Sequence, residues 1–214
     1  FSSFNISSLI CFFLILIIGI SHGSLDHEKG RKLFKIFNIN SISIFYISYI
    51  AISILVVAIW IFIPSISLII FLLVASYHFG KEDTQFLTSK VSIFNQILFF
   101  FKGLLIILAP MYFNFDDTVS IFKLILVDNE NFYLTLDFME SNKILPVLIV
   151  LSTLSSICLF LKEFNLNKFS IFLDYFSILI LNYYLSPLVA FTMYFCFLHS
   201  LRHSMSLIYE IDNQ

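Results

Sequence analysis

Five histidines carry most of the chemistry this sequence can do: His22, His27, His78, His199 and His203. Imidazole is a general acid or base near neutral pH and a common metal ligand, suited to iron, zinc, copper or nickel, so the residue type alone does not choose the metal. His199 and His203 stand four residues apart, which on a helix stacks both rings on one face where they can share an ion. That spacing is weak evidence by itself, and a single histidine within an apolar helix is more often an interhelical hydrogen-bonding residue.

The elements that must position these residues are hydrophobic helices. The 214 residues are 59% hydrophobic and 12% charged, about half the charge of a soluble domain. Apolar runs near residues 4–21, 42–63, 66–79, 92–113, 144–161, 168–186 and 188–208 mostly approach the roughly 20 residues a helix needs to cross a hydrocarbon core. The fold class is therefore all-α: a polytopic integral membrane bundle of about seven transmembrane helices, forming one domain over 1–214. Pro64 and Ser186-Pro187 mark tight helical hairpins, because proline cannot continue a helix. The one long connection, 114–143, carries Asp116, Asp117, Asp128, Glu130, Asp137 and Glu140. It has an amphipathic stretch near 118–127 that would lie along the interface.

Lys29, Arg31, Lys32, Lys35, Lys81, Lys90, Lys162 and Lys168 fall in odd-numbered loops, which the positive-inside tendency assigns to the cytoplasm of a cell-membrane protein. Helices one, three, five and seven then run inward. This brings His22 and His27, His78, and His199 with His203 to one membrane depth. Convergence of four histidines from three helices is the pattern of a metal site. Four neutral imidazoles leave the ion's charge uncompensated, which calls for carboxylates hydrogen-bonded to the outer ring nitrogens. Asp26, Glu82 and Asp83 are placed to supply them, and Arg202 to pair with a carboxylate. His27 reads as an outer or interfacial residue. Asp174 and Lys102 lie within apolar runs, where ionisable groups are costly and usually face a cavity or partner. Asp174 is at the depth of the site, and Lys102 is nearer the midplane.

A net charge of −2 and no Lys/Arg-rich run argue against nucleic acid as a partner. Cys11, Cys158 and Cys196 lie in apolar runs without metal-type spacing and read as core residues. The 28 Phe could line a polyene site, although the accompanying Ile and Asn bias reads better as base composition. The chain opens on Phe1 and enters an apolar run at once, so it reads as a fragment at its N-terminus.

Ser21-His22-Gly23-Ser24-Leu25-Asp26-His27, Ser76-Tyr77-His78-Phe79-Gly80-Lys81-Glu82-Asp83 and His199-Ser200-Leu201-Arg202-His203 together resemble motifs of the Brp/Blh membrane β-carotene dioxygenases, in the same order and across most of the chain. The resemblance implies that His22, His78, His199 and His203 ligate a non-haem Fe(2+). It also implies that O2 is added across the central double bond of β-carotene, giving two molecules of all-trans-retinal for partners such as rhodopsins. The chain departs from the family pattern by ending soon after its last motif. Five histidines are too few for a membrane di-iron enzyme. A bis-histidine haem protein with His78 opposite His199 or His203, and a transporter with a histidine proton relay, remain as alternatives.

Overall fold

The computed structural model describes residues 6–23, 26–37, 41–84, 92–125, 127–162 and 169–203. Among them the chain forms α1 (Ile6–Gly23), α2 (Asp26–Ile36), α3 (Ile42–Phe62), α4 (Pro64–Glu82), α5 (Ile93–Phe113), α6 (Phe115–Leu124), α7 (Glu130–Ser141), α8 (Ile144–Lys162), α9 (Phe169–Tyr184) and α10 (Pro187–Met193), with no strand. A π-helical segment, Tyr194–Ser200, continues α10.

Helix ends follow local chemistry. Pro64 and Pro187 open α4 and α10 at the first helical turn, where the missing N–H costs nothing. Ser92 and Asn129 cap α5 and α7, accepting from the Asn95 and Phe132 amides at 3.2 and 3.0 Å. These bonds satisfy donors that a helix start leaves open. Between α7 and α8, Lys143 takes φ of 57°, which reverses the chain in a short link.

Ser43–Phe62, Pro64–Glu82, Ile93–Phe113 and Ile144–Lys162 are long and apolar enough to cross a membrane. The other three expected spans are shorter: α1 is apolar over Ser8–Gly19, α9 has 16 residues, and the last helix is divided between α10 and the π segment. The expected all-α membrane bundle is present, but the count of about seven spans is not confirmed: four helices of spanning length occur among the described residues.

The α5 helix is the axis of the bundle, burying Asn95, Leu98, Phe99, Lys102, Gly103, Leu105, Ile106, Leu108, Ala109 and Met111. Between helices in lipid, the hydrophobic effect gives little drive to associate, so close packing of small residues must do it. Gly80 and Gly103 make that possible: a Cβ on Gly80 would run into the Phe99 carbonyl, and one on Gly103 into the Ser76 carbonyl. Backbones of α4 and α5 therefore touch beside His78. In contrast, α3 buries nothing along its spanning length and exposes Ile47, Ile50, Ile54, Val57 and Ile61.

The 114–143 connection is more ordered than its charges suggest. It forms α6 and an unanticipated α7, and buries Phe122, Val127 and Leu136 against Leu68, Leu108, Met111 and Leu145. The apolar residues Phe132, Tyr133, Leu136 and Met139 give α7 a helical stripe between its acids. Trp60 Nε1 ties α3 to this cap by donating to the Ile125 carbonyl at 3.0 Å.

Candidate metal centre

The end of α4 supplies His78, Glu82 and Asp83, and the end of the last helix supplies His199, Arg202 and His203. Three imidazoles gather there. Ring centroids lie 5.5 Å apart for His78 and His199, 6.5 Å for His78 and His203, and 6.3 Å for His199 and His203, whose planes are 13° apart. His199 and His203 are buried, whereas His78 is the exposed member.

Each buried imidazole is held from behind. His199 Nδ1 donates to Asp83 Oδ1 at 3.0 Å, and His203 Nδ1 donates to Glu82 Oε2 at 3.0 Å. A carboxylate can only accept, so these bonds select the tautomer with the lone pair on Nε2. Tyr194 completes the support by donating its hydroxyl to Asp83 Oδ2 at 2.6 Å. Burial would raise the Asp83 carboxyl, but the His199 hydrogen bond, the Lys102 ammonium and the Tyr194 hydroxyl outweigh it and hold it down at about 2.

The π segment explains why Tyr194 and His199 share one carboxylate. Residues five apart lie about 140° apart around an α-helix, at roughly 100° per residue. An i→i+5 helix brings them to the same side, and such turns recur at functional sites. Sequence reasoning missed Tyr194 for this reason, since an α-helical wheel turns it away from His199.

A charge cluster backs the site. Arg202 pairs with Asp174 of α9 and stands 3.7 Å from Asp83 Oδ1. Lys102 of α5 is buried and within electrostatic reach of both Asp83 and Asp174. Two cations therefore face two anions, which lowers the cost of placing charge at this depth. Phe79 presses edge-on against His199 at 4.6 Å between centroids, and Phe195 stacks on it at 6.1 Å. Together they form an apolar wall.

The remaining expected residues belong to α1 and α2. His22 lies in α1 and Asp26 at the start of α2, but their side chains are outside the described residues. His27 is on α2. The α1 helix does approach the site: a Cβ on Gly19, one turn before His22, would stand 4.0 Å from the Phe195 ring, one turn before His199.

The donor set suits a divalent transition metal: neutral imidazoles with carboxylate-fixed tautomers are its usual protein ligands. Among the described residues, no group of three or more His, Cys, Asp or Glu side chains is placed so that it could hold a metal ion, and the side chain of the fourth expected ligand, His22, is outside them.

An apolar cavity of about 180 Å³ adjoins the centre, bounded by α4, α5, α6, α9 and α10. Phe79 and Tyr194, both against His199, line its near end, and Thr118, Asn182 and Pro187 its far end.

Comparison with known proteins gives concordant results. Residues 13–214 match the family model described as Beta-carotene 15,15'-dioxygenase. A protein of that name from Uncultured marine bacterium 66A03 is 26% identical over 198 residues, covering 89% of this chain and 66% of the relative, slightly under two thirds of its length. No solved structure matches.

Proposed function

This chain belongs to the beta-carotene 15,15'-dioxygenase family, and from that premise we propose that it takes part in central cleavage of β-carotene by O2 to two molecules of all-trans-retinal. The observation that carries the reading is the trio His78, His199 and His203 beside an apolar cavity, with Asp83 and Glu82 bonded to the two buried rings. His78, His199 and His203, joined by His22 from α1, would hold a ferrous ion. When bound, that ion supplies the redox chemistry that lets O2 react with a closed-shell alkene.

The chain's own residues do the rest. Asp83 and Glu82 keep a proton on Nδ1 of His199 and His203, so that each ring offers Nε2 inward. Tyr194 and Arg202 hold the Asp83 carboxylate in place for that task. Phe79 and Phe195 exclude water from the His199 side, which protects a reactive centre from side reactions. A substrate dissolved in lipid reaches such a site without crossing water. The basic loops assign the histidine end to the cytoplasmic face of the cell membrane. Retinal formed there would be available to a rhodopsin.

Expression in a bacterial host that makes β-carotene tests the reading. Cells should bleach, and chromatography of the extract should show retinal as the main product, formed only with iron and O2 supplied. Longer apocarotenals in place of retinal would contradict central cleavage. Turnover surviving removal of iron or O2 would contradict the dioxygenase.

A further inference from the structure

The charged side chains behind the histidines meet at unequal distances, and the inequality falls on a single oxygen. Asp83 Oδ1 accepts from His199 Nδ1 at 3.0 Å, while Arg202 Nη1 stands 3.7 Å from the same atom. That separation is beyond the roughly 2.7–3.2 Å of an N–H···O hydrogen bond. Arg202 Nη1 is nonetheless buried, with no hydrogen-bond partner among the described residues, an arrangement that costs free energy. A guanidinium beside a carboxylate ordinarily closes to a short, charge-assisted bond. What holds it off is on α9: Arg202 Nη2 is paired with Asp174 Oδ2, and Asp174 is itself buried at 7% exposure. Tyr194 already occupies the other Asp83 oxygen, Oδ2, at 2.6 Å, which leaves Oδ1 as the atom that His199 and Arg202 would share.

Resting on the dioxygenase reading, we propose that Asp174 is a positioning residue of the metal centre: by holding Arg202 back from Asp83, it reserves Oδ1 for His199. A carboxylate bonded to the outer nitrogen raises the basicity of a ligating imidazole. An arginine closed on the same oxygen draws its charge away, so that His199 becomes a poorer donor to the metal. Held at its distance, Arg202 lends Asp83 a compensating charge without taking the oxygen. Lys102, from α5, lies within electrostatic reach of both carboxylates and supplies the same charge from another direction, which makes it the natural control.

Ferrous ion is titrated anaerobically into the metal-free full chain in detergent, with Co(II) as a coloured substitute whose visible bands report the ligand field, and thermal melts are recorded alongside. Asp174→Asn should lower the affinity for both ions roughly 3- to 10-fold, less than the loss of an outer partner bonded directly to a ligand. Two double variants separate positioning from charge balance, because each removes one cation together with the anion. Asp174→Asn with Arg202→Met should recover most of the lost affinity, since the arginine that would take Oδ1 is gone. Asp174→Asn with Lys102→Met should stay as weak as Asp174→Asn, although its charges are equally balanced. Equal recovery in both doubles would overturn the positioning role, as would unaltered affinity in Asp174→Asn. The comparison of the two doubles decides the matter even where Asp174→Asn alone melts too early to titrate. An unaltered chain that takes up no ferrous ion would refute the metal centre, and this inference with it; uptake with the doubles ranked in the opposite order would refute the inference alone.

Discussion

Replacing Asp83 by Asn removes one oxygen's charge and little volume, yet it should disturb the centre in two separable ways. Asp83 fixes the His199 tautomer through Nδ1 at 3.0 Å, and an Asn can instead present its NH2 to that nitrogen. Loss of such an outer partner costs 10- to 100-fold in metal affinity, or about 1.4–2.7 kcal/mol at 1.36 kcal/mol per factor of ten. The second effect is on the fold. Asp83 is 3% exposed, and without its charge Lys102 and Arg202 would share the single carboxylate of Asp174. Breaking a buried charge pairing costs about 3–5 kcal/mol, and the lower end applies because the Arg202 side chain is 22% exposed. Tyr194→Phe provides the control, since it leaves the His199–Asp83 bond and the charge balance intact and should lower iron affinity less than tenfold. Iron titration of the purified variants, alongside thermal melts, measures both effects. Wild-type iron affinity in Asp83→Asn would refute the reasoning, as would a Tyr194→Phe defect equal to it.

Further outcomes follow from the same geometry. His22→Ala, His78→Ala, His199→Ala and His203→Ala should each abolish bound iron or retinal formation, while His27→Ala stays active; activity assays on the five variants would expose a wrong division if His27→Ala were equally severe. Gly80→Ala should destabilise the bundle by about 1–3 kcal/mol through the clash with the Phe99 carbonyl, and an unchanged melting temperature would show that α4 and α5 can separate freely. In a background lacking native cysteines, a membrane-impermeant thiol reagent applied from outside should label Asp117→Cys and spare Thr88→Cys; the reverse would invert the orientation.

Much of this was legible in the sequence because apolar length is a one-dimensional property. The runs that became α3, α4, α5 and α8 were read nearly to their ends, with Pro64 marking the joint between the first two. Likewise, Glu82 and Asp83 follow His78 by four and five residues, and their closeness to the histidines needed only the right threading of α4 against the last helix. Three features were out of reach for definite reasons. The α7 helix hides a modest apolar stripe among acids, so composition reads it as loop. The π segment depends on backbone hydrogen bonding that no residue pattern announces, and Tyr194 was lost with it. Asp174 was legible as a group at the depth of the site, but its pairing with Arg202 and the approach of Lys102 from α5 are tertiary facts.

Metal analysis of the purified chain tests the central claim most directly. A centre built from His22, His78, His199 and His203 predicts about one iron per chain and no intense Soret band, with iron lost in His199→Ala. A haem spectrum, or full carotenoid cleavage by protein stripped of metal, would contradict it.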